Sequence, residues 1–294
     1  MKKVLLLGAL GQLGREIASR VPQSIDFKAL TKAELDITSE SDINRAITSS
    51  APDTVINTAA YTRVDKAELE PELAFAVNER GIEFLSSCCG PETRILHLST
   101  DFVFSSFQHA PYAPNAPTEP VSVYGRSKLA GEQALLKNRP KTSAVLRTSW
   151  LYGPETRNFL TAMLELMKTR DKLNVVNDQF GSPTSVETLA DIIWKLALDS
   201  RANGLFHWSD RGVITWYDFA IEIQQQALDL NLLTSRIPIN PIPTEGYPTT
   251  ATRPRYSALD STTTEAITGM KTRPWKEQLA RVLKKIKQLE SPDA

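Results

Sequence analysis

Cysteine is scarce in this 294-residue chain, and the few side chains that commonly bind zinc are scattered. The two cysteines, Cys88 and Cys89, are adjacent, whereas a disulfide framework needs spaced pairs. The three histidines, His97, His109 and His207, form no Cys/His cluster with zinc-ligand spacing. The sequence therefore argues against a disulfide-stabilised fold and a structural zinc site, and we expect a reducing, cytoplasmic setting.

Net charge and long hydrophobic runs are also lacking. Lys and Arg together number 34, as do Asp and Glu, so the formal net charge is zero. Without a bulk positive charge, we expect no binding to nucleic acid or to a membrane. No apolar run approaches the ~20 residues of a membrane span. The first apolar run, residues 4–7, ends at Gly8 without a convincing cleavage site, and it predicts a buried strand instead of a signal peptide.

The chain does show a regular alternation of short apolar runs with stretches of helical apolar spacing. This alternation predicts a parallel sheet with right-handed crossovers, and therefore an α/β fold with a Rossmann-type doubly wound sheet. The predicted strands are residues 4–7, 25–30, 54–57, 94–99 and 143–147, and the predicted helices are residues 12–21, 40–50, 72–88 and 124–137.

Three glycines lie between the first predicted strand and the first predicted helix. Gly8, Gly11 and Gly14 permit a tight turn in which backbone N–H groups reach a pyrophosphate, and the helix N-terminus adds favourable partial charge. We predict these glycines, with Gln12 and Leu13 between them, as contacts of a dinucleotide cofactor. The spacing is G-x-x-G-x-x-G instead of G-x-G-x-x-G, and glycines with a purely structural role are the alternative.

An acidic residue is missing after the second predicted strand, where many NAD enzymes hold the ribose 2′-hydroxyl. Lys32 stands there and would suit the 2′-phosphate of NADPH, while NADH, with Lys32 simply exposed to solvent, is the alternative. Asp36 and Ile37 follow soon after and are predicted beside the adenine. Small residues after the third predicted strand let a cofactor pass close to the backbone. The predicted contacts there are Ala59, Ala60 and Tyr61.

A tyrosine and a lysine four residues apart stand at the start of the fourth predicted helix. Tyr124 and Lys128 share a helix face, and of seven tyrosines only Tyr124 has lysine at this spacing. A free tyrosine has a pKa near ~10, and a neighbouring ammonium lowers it towards the working pH. Thr100, at the end of the fourth predicted strand, offers a hydroxyl to a substrate carbonyl. We predict proton transfer to that carbonyl beside a nicotinamide, and a chance Tyr-x-x-x-Lys pair is the alternative.

The character of the sequence changes after Trp150. Helical stretches alternate with proline-rich connectors. The spacing of apolar residues over residues 275–289 predicts a basic amphipathic helix at the end of the chain. We predict a Rossmann domain over residues 1–150 that binds the cofactor and carries the catalytic residues. Residues 151–294 are expected to form a smaller C-terminal α/β substrate-binding lobe, with parts returning to the Rossmann domain.

Longer sequence strings carry a family resemblance that covers almost the whole chain. They are residues 11–14, 57–68, 99–104, 124–132, 147–150, 177–184 and 253–260. In these strings the chain resembles the extended short-chain dehydrogenase/reductases and, more closely, the dTDP-4-dehydrorhamnose reductases. The strings Val-Asp-Lys-Ala-Glu and Asp-Gln-Phe-Gly-Ser-Pro-Thr are much more specific than the glycine turn.

The resemblance implies a reaction and a set of roles. A nucleotide-linked sugar, dTDP-6-deoxy-L-lyxo-4-hexulose, would become dTDP-L-rhamnose by hydride transfer to C4 from NADPH or NADH, with Tyr124 as proton donor. Lys128 would activate Tyr124 and hold the nicotinamide ribose. The implied sugar-nucleotide contacts are Val64, Thr100, Asp101, Val103, Tyr124 and Trp150. Arg253 is our own candidate for a diphosphate contact, because a guanidinium suits phosphate oxygens, and a surface arginine held beside Pro254 is the alternative.

Departures from the family pattern leave some properties open. Leu10 replaces a small polar residue of the first turn, and Phe102 replaces a tyrosine near the substrate. Some members of the family form homodimers around Mg²⁺ held by glutamates from three places in the chain. Glu16 and Glu187 match two of these, but the last helix has lysines at positions 284–285. We therefore predict no metal ligands, and Mg²⁺ dependence and the homodimer stay open.

Two alternatives to this reaction also stay open. A sibling ketoreductase would use the same chemistry to make another 6-deoxysugar. A non-catalytic regulatory subunit would bind the dinucleotide and a partner enzyme without turnover. The presence of Thr100, Tyr124 and Lys128 together argues against the regulatory subunit, because a pure binding module does not need all three.

Overall fold

A computed structural model describes residues 1–106 and 108–290. The strands are β1 (Lys2–Leu7), β2 (Ile25–Leu30), β3 (Thr54–Asn57), β4 (Arg94–Thr100), β5 (Ser143–Thr148), β6 (Leu151–Tyr152), β7 (Leu173–Val176), β8 (Phe180–Gly181), β9 (Thr184–Ser185), β10 (Gly204–His207), β11 (Ile214–Thr215) and β12 (Ile239–Ile242). The α-helices are α1 (Gln12–Ser19), α2 (Glu40–Ser50), α3 (Val64–Ala67), α4 (Pro71–Phe75), α5 (Gly81–Cys88), α6 (Val123–Asn138), α7 (Phe159–Thr169), α8 (Val186–Leu198), α9 (Trp216–Asp229), α10 (Thr262–Thr268) and α11 (Trp275–Glu290). A π-helical turn (Ala76–Arg80) joins α4 to α5, and 3₁₀ turns cover Asp101–Val103 and Thr244–Gly246.

A six-stranded parallel sheet in the order β10-β5-β4-β3-β1-β2 forms the centre of the molecule. Side chains alternate across it, as β1 shows. Val4 and Leu6 pack with α1 and α8, whereas Leu5 and Leu7 pack with α2 and α5. Each leucine buried in this way contributes about 1.5–3 kcal/mol. Helices therefore cover both faces, and the predicted Rossmann-type doubly wound α/β fold is confirmed.

The predicted bounds of the N-terminal elements agree well with the observed ones. β2, α2 and β3 have the predicted bounds, and α1 ends at Ser19, two residues before the predicted end. The helix predicted over residues 72–88 is interrupted by the π-helical turn. Gly81 follows that turn, where an added Cβ would lie 2.9 Å from the carbonyl oxygen of Ile37. The glycine thus lets this helix lie close against the loop after β2.

The second half of the chain supplies the sixth strand of the sheet. β10 pairs in parallel with β5, with Leu205 opposite Val145. α8 covers one face of the sheet through Leu189 and Ile193. The sequence predicts that parts of this half return to the Rossmann domain, but neither β10 nor α8 was located from it. The domain boundary at residue 150 stays a prediction.

The rest of the C-terminal half forms the smaller lobe. Its core lies between α7, α9 and α11, with short strands such as β7 and β12 beside it. In α11 the side chains of Leu279, Leu283 and Ile286 are buried, and its apolar face packs against α9. Over residues 1–106 and 108–290, no helix has both the length and the apolar character needed to cross a membrane.

Candidate active site

A cleft of about 630 Å³ opens at the carboxyl ends of the sheet strands. Gly11, Thr58, Thr100 and Thr148, which line it, follow or end β1, β3, β4 and β5. Ligands of open α/β sheets bind at this edge, because the loops that leave the strands converge there. A second cavity of about 460 Å³ extends over the C-terminal lobe. The residues lining both cavities are Phe102, Trp150, Arg157, Phe159 and Trp216.

Backbone geometry explains two of the three glycines in the first turn. Gly8 has φ of 85°, and an added Cβ would lie 2.7 Å from the backbone nitrogen of Ala59. A Cβ at Gly14 would collide with the carbonyl oxygen of Gly8. At Gly11 the nearest protein atom would be 3.4 Å away, and no side chain caps the start of α1. This open cradle, with the N–H groups of the first helical turn at the cleft, fits a pyrophosphate.

The other predicted cofactor residues, which lie in α1 and after β3, do not all line the cleft. Gln12, Leu13 and Ala60 line the cleft. Ala59 is half-buried in the turn that contacts Gly8. The hydroxyl of Tyr61 donates to Glu70 at 2.7 Å, and its ring packs against the small apolar cluster that includes Val123 instead of lining the cleft.

Three residues predicted around the adenosine do not line the cleft. Lys32 is exposed just beyond β2. Asp36 accepts hydrogen bonds from the backbone nitrogen and hydroxyl of Thr38 at 2.9 and 2.8 Å, and these bonds hold the pKa of its carboxyl below the usual value. Ile37 is buried in the core under β1. Their predicted cofactor contacts stay predictions.

Tyr124 lies in the first turn of α6, which is capped by the hydroxyl of Ser122 accepting from the backbone nitrogen of Gly125 at 3.1 Å. The ring of Phe102 packs edge-on against Tyr124, with centroids 5.6 Å apart. Desolvation of the hydroxyl raises the pKa of Tyr124 to about 12, and the side chain of Thr100 opposes this rise. Tyr124 is therefore a neutral phenol near neutral pH, the form that donates a proton.

Lys128 lies one turn after Tyr124 and is almost fully buried. Its Nζ donates to the carbonyl oxygen of Leu98 at 2.6 Å and lies 3.2 Å from Nε2 of His97. Burial lowers the pKa of Lys128 to about 8, and the nearby carboxylate of Glu132 opposes this shift. Lys128 is thus a pre-positioned side chain that can change its charge near neutral pH. Sequence reasoning missed His97, because the histidine was considered only as a metal ligand.

Asp101 is buried behind Thr100 and borders the cleft. The hydroxyl of Thr100 donates to its Oδ1 at 3.1 Å and accepts from the backbone nitrogen of Phe102 at 3.2 Å. The hydroxyl of Ser257 donates to Oδ2 of Asp101 at 2.5 Å. Burial raises the pKa of Asp101 to about 6, against the effect of these two hydroxyl donors. Asp101 therefore orients Thr100 and ties it to the C-terminal half of the chain.

Aromatic rings form the wall shared by the two cavities. Trp150 stacks on Trp216 with centroids 3.6 Å apart and an interplanar angle of 9°. Phe159 packs against Trp216 at 4.6 Å. Trp150 has φ of 45°, and a Cβ at Gly181 would lie 2.7 Å from its ring, so the local backbone is shaped around this side chain. The sequence singled out Trp150 but not Trp216 or Phe159.

Two predicted valine contacts have different positions. Val64 lines the cleft at the start of α3. Val103 is fully buried with Phe104 and Tyr112, whose rings stack at 4.0 Å. The 3₁₀ turn after β4 directs Val103 into this core, so the structure does not bring its side chain to either cavity.

Arg253 lines the second cavity, where it forms an ion pair with Asp65. Its Nη2 and Nη1 donate to Oδ2 and Oδ1 of Asp65 at 2.7 and 3.2 Å. The backbone nitrogen of Ala251 donates to the same carboxylate at 3.0 Å. The hydrogen bond from Arg253 is the main cause that lowers the pKa of Asp65. The guanidinium is therefore held at the rim of the cavity by a residue of the first half of the chain.

The carboxylates that match the family's magnesium ligands are neutralised by cations. Glu187 lies 2.5 Å from Nζ of Lys285 and 3.4 Å from the guanidinium of Arg20. Arg20 also pairs with Glu16 and Asp191, at 2.5 and 3.0 Å. In the part of the chain that the structure describes, no group of three or more His, Cys, Asp or Glu residues is arranged to hold a metal ion. This place does not fit a divalent cation, because two positive side chains already occupy it.

Residues 1–288 match the RmlD substrate binding domain family. The dTDP-4-dehydrorhamnose reductase of Aggregatibacter actinomycetemcomitans is 38% identical over 96% of this chain and 98% of that protein. The dTDP-4-keto-6-deoxy-D-glucose reductase of Streptomyces niveus is 36% identical over 87% of each chain. The crystal structure of dTDP-4-dehydrorhamnose reductase from Bacillus anthracis in complex with NADP is similar with a TM-score of 0.90 and 33% identity, over 97% of this chain and all of that one. The resemblance found in the sequence is confirmed, and the chain belongs to the RmlD substrate binding domain family.

Proposed function

We propose that this protein is an NAD(P)H-dependent oxidoreductase that reduces the C4 keto group of dTDP-6-deoxy-L-lyxo-4-hexulose and forms dTDP-L-rhamnose. The observation that carries the proposal is the meeting of Thr100, Tyr124 and Lys128 with the glycine turn in one cleft. The reductases of Aggregatibacter actinomycetemcomitans and Bacillus anthracis support this substrate, since the chain matches each over almost its whole length.

The chemistry follows from the side chains at the cleft. The reduced nicotinamide, when bound, supplies the hydride that reaches C4 of the sugar. Tyr124 then donates its hydroxyl proton to the oxyanion that develops on the former carbonyl oxygen. Lys128 stabilises the resulting tyrosinate by its positive charge. Thr100, held by Asp101, orients the carbonyl oxygen towards Tyr124.

We also propose NADPH as the preferred cofactor, with NADH as the alternative. The Bacillus anthracis relative is in complex with NADP. In this chain Lys32 is exposed just beyond β2, where its ammonium is free to move towards a 2′-phosphate. The pyrophosphate would be held by the cradle from Gly11 to Gly14.

The second cavity is the proposed place of the sugar nucleotide. Most of its lining comes from residues after 150, in agreement with the proposed division of roles between the two halves of the chain. The stacked pair Trp150 and Trp216 offers a flat apolar surface to a ring. Arg157 and Arg253 line the same cavity and offer two guanidinium groups to a diphosphate.

The test is NADPH oxidation by the purified protein, with the 4-keto-rhamnose nucleotide generated in situ and the product identified by NMR. NADH is run in parallel. We expect turnover to the rhamnose configuration with a lower KM for NADPH than for NADH. Absence of turnover with bound cofactor would contradict the proposal and favour a regulatory subunit.

A sibling ketoreductase is the second candidate, because the Streptomyces niveus relative reduces a different 4-keto sugar nucleotide according to its name and is nearly as similar. The same NMR experiment separates the two. Turnover to the other configuration at C4 would keep the mechanism and assign this chain to the sibling activity.

A further inference from the structure

Asn57 and His97 lie directly opposite each other on neighbouring strands. β3 and β4 are parallel, and their register pairs Asn57 with His97. Both side chains therefore project from the same face of the sheet, the face that α6 covers with Lys128. Asn57 and His97 have no exposed surface, and Lys128 is 2% exposed. Nδ2 of Asn57 lies 3.0 Å from Nδ1 of His97, and Nε2 of His97 lies 3.2 Å from Nζ of Lys128.

The backbone N–H of Ala59 determines the direction of these hydrogen bonds. It donates to Oδ1 of Asn57 at 3.1 Å, so the NH₂ group of Asn57 faces His97 and donates to Nδ1. Burial and the neighbouring Lys128 keep the pKa of His97 well below its usual value, so the imidazole is neutral. A neutral imidazole that accepts at Nδ1 carries its proton on Nε2. The N–H of His97 therefore points at Nζ of Lys128, and the proton position follows from the partners.

This contact discriminates between the two charge states of Lys128. An amine has a lone pair that accepts from the His97 N–H, whereas an ammonium ion would place hydrogen against hydrogen. Nζ donates to the carbonyl oxygen of Leu98 at 2.6 Å in either state. Reversing the imidazole would put an N–H against the NH₂ group of Asn57, and turning the amide would put that group against the N–H of Ala59.

The charged groups around Lys128 do not cancel this preference. Glu132 on α6 favours the ammonium ion, but both its oxygens accept from Arg147 of β5, with the shortest distance 2.6 Å. On the cleft side Tyr124 is a neutral phenol. Asp101, after β4, accepts hydrogen bonds from the hydroxyl groups of Thr100 and Ser257, and it is not among the groups that shift the pKa of Lys128.

We propose that His97, oriented by Asn57, is a positioning residue for the reductase reaction that fixes Nζ of Lys128 and favours its amine over its ammonium form. The inference rests on the proposed function. The ammonium form of Lys128 stabilises the tyrosinate by its charge. Because His97 makes that ammonium ion a stronger acid, it can return a proton from Nζ to the tyrosinate oxygen of Tyr124 after each turnover, and Lys128 then regains one from water. The lowered pKa of Lys128, about 8, agrees with this role.

The tautomer of His97 is measured first, by long-range ¹H–¹⁵N NMR of the whole protein labelled with ¹⁵N-histidine. The chain has three histidines, and His97→Gln and His109→Gln identify the signals. His207 is an internal control for the opposite tautomer. Its Nδ1 lies 2.9 Å from the carbonyl oxygen of Tyr112, so Nδ1 must carry the proton. We expect His97 with its proton on Nε2 and His207 with its proton on Nδ1. A proton on Nδ1 of His97, or an imidazolium ion near pH 7, would overturn the proposal.

This measurement needs no turnover, so its result is independent of the substrate assigned to the enzyme. If the tautomer is as expected and the 4-keto sugar is not reduced, the proposed function fails and the local geometry stands. If the sugar is reduced and the tautomer is reversed, the role of His97 fails and the function stands.

Asn57→Asp tests the consequence for Lys128. The carboxylate still accepts from Ala59 but turns the donor that faces Nδ1 into an acceptor, so His97 reverses and offers a lone pair to Nζ. In the wild type we expect kcat to fall as the pH rises through about 8, because Lys128 loses its charge. In Asn57→Asp this fall on the alkaline side of the pH profile of kcat, the alkaline limb, moves to a pH that is higher by about one unit or more.

The double variant His97→Leu with Asn57→Asp is the matched control, because it measures the shift that the new carboxylate causes by its charge alone. Relative to His97→Leu, the limb must move less there than it moves in Asn57→Asp, and equal shifts would contradict the role of His97. A purely structural role predicts a lower melting temperature and lower kcat with an unchanged limb. An unchanged limb in Asn57→Asp, with reversed His97 signals, would therefore contradict the proposal.

Discussion

The two walls of the active-site cleft are built in different ways. On the sheet side, Thr100, Lys128 and Asp101 are buried, and each is held by hydrogen bonds to neighbours in the first half of the chain or to Ser257. On the lobe side, the rings of Trp150 and Trp216 and the partly exposed Arg253 face an open cavity.

The difference indicates which property each wall determines. A reacting group needs a fixed position, because a small displacement costs a large factor in rate. A recognition surface of stacked rings and exposed ion pairs tolerates exchange, because each contact contributes little and few depend on one another. We therefore expect substitutions on the sheet side to change kcat and substitutions on the lobe side to change KM for the sugar nucleotide.

The largest effect is expected for Tyr124→Phe. This variant removes the proton donor and keeps the ring, so we expect kcat to fall by ~10²–10⁴-fold. Binding of NADPH, followed by fluorescence titration, should change little. Retention of more than a tenth of the wild-type kcat would show that another group donates the proton. Full biological activity without turnover would favour the regulatory subunit.

Gly14→Ala comes next, because its Cβ would collide with the carbonyl oxygen of Gly8. The turn must shift, which we expect to cost about 1–3 kcal/mol in the free energy of unfolding and to raise KM for NADPH. Thermal unfolding and initial rates measure the two effects. Gly11→Ala is the control, since its Cβ would have its nearest protein neighbour at 3.4 Å and should raise KM without lowering stability. Equal stability losses in the two variants would contradict this explanation.

Trp216→Ala should affect recognition and spare the chemistry. Loss of the partner that stacks on Trp150 at 3.6 Å removes a flat surface, and an aromatic pair of this kind is worth ~0.5–1.5 kcal/mol. We expect KM for the sugar nucleotide to rise by up to about tenfold, with kcat nearly unchanged. Trp216→Phe keeps a ring and should recover most of the affinity. A drop in kcat with constant KM would show that the stacked pair affects the chemical step, as the sheet side of the cleft does, and not recognition.

The smallest effect is expected for Asp65→Asn, which leaves Arg253 without its ion pair. The pair is 24% and 44% exposed, so its own contribution is only ~0–1 kcal/mol. We expect a two- to threefold change in KM for the sugar nucleotide that decreases at high salt. Glu245→Gln, which breaks the more exposed pair with Arg255, serves as the control and should have no effect. Similar changes in both variants would point to general electrostatics.

The sequence predicted the elements whose signals are local. Apolar runs and helical spacing located β2, α2 and β3 with their bounds. All four residues of β3 are buried, and α2 buries one face through Ile43 and Ile47. β10 was missed because its four residues become a strand only by pairing with β5, which lies far away in sequence. The π-helical turn at Ala76–Arg80 was missed because apolar spacing does not distinguish it from an α-helix.

The same limit applies to the active site. Thr100, Tyr124 and Lys128 are short-range signals, and the structure brings all three to one cleft. The pairing of Asn57 with His97 was invisible because it requires the order of the strands. Arg253 was assigned without its partner Asp65, which lies 188 residues away. Val103 was assigned from the family resemblance, but the 3₁₀ turn after β4 directs its side chain into the core.

The return of β10 and α8 to the central sheet has a consequence for the synthesis of the chain. Until Leu189 and Ile193 have left the ribosome, α1 alone packs in the core formed by Leu6, Leu96 and Leu146, without the larger cover that α8 supplies. The edge of β5 likewise stays unpaired until residue 207 has been made. The first half of the chain, which carries Tyr124, is thus expected to fold stably only after most of the second half has been synthesised. Activity should therefore appear only when translation is nearly complete.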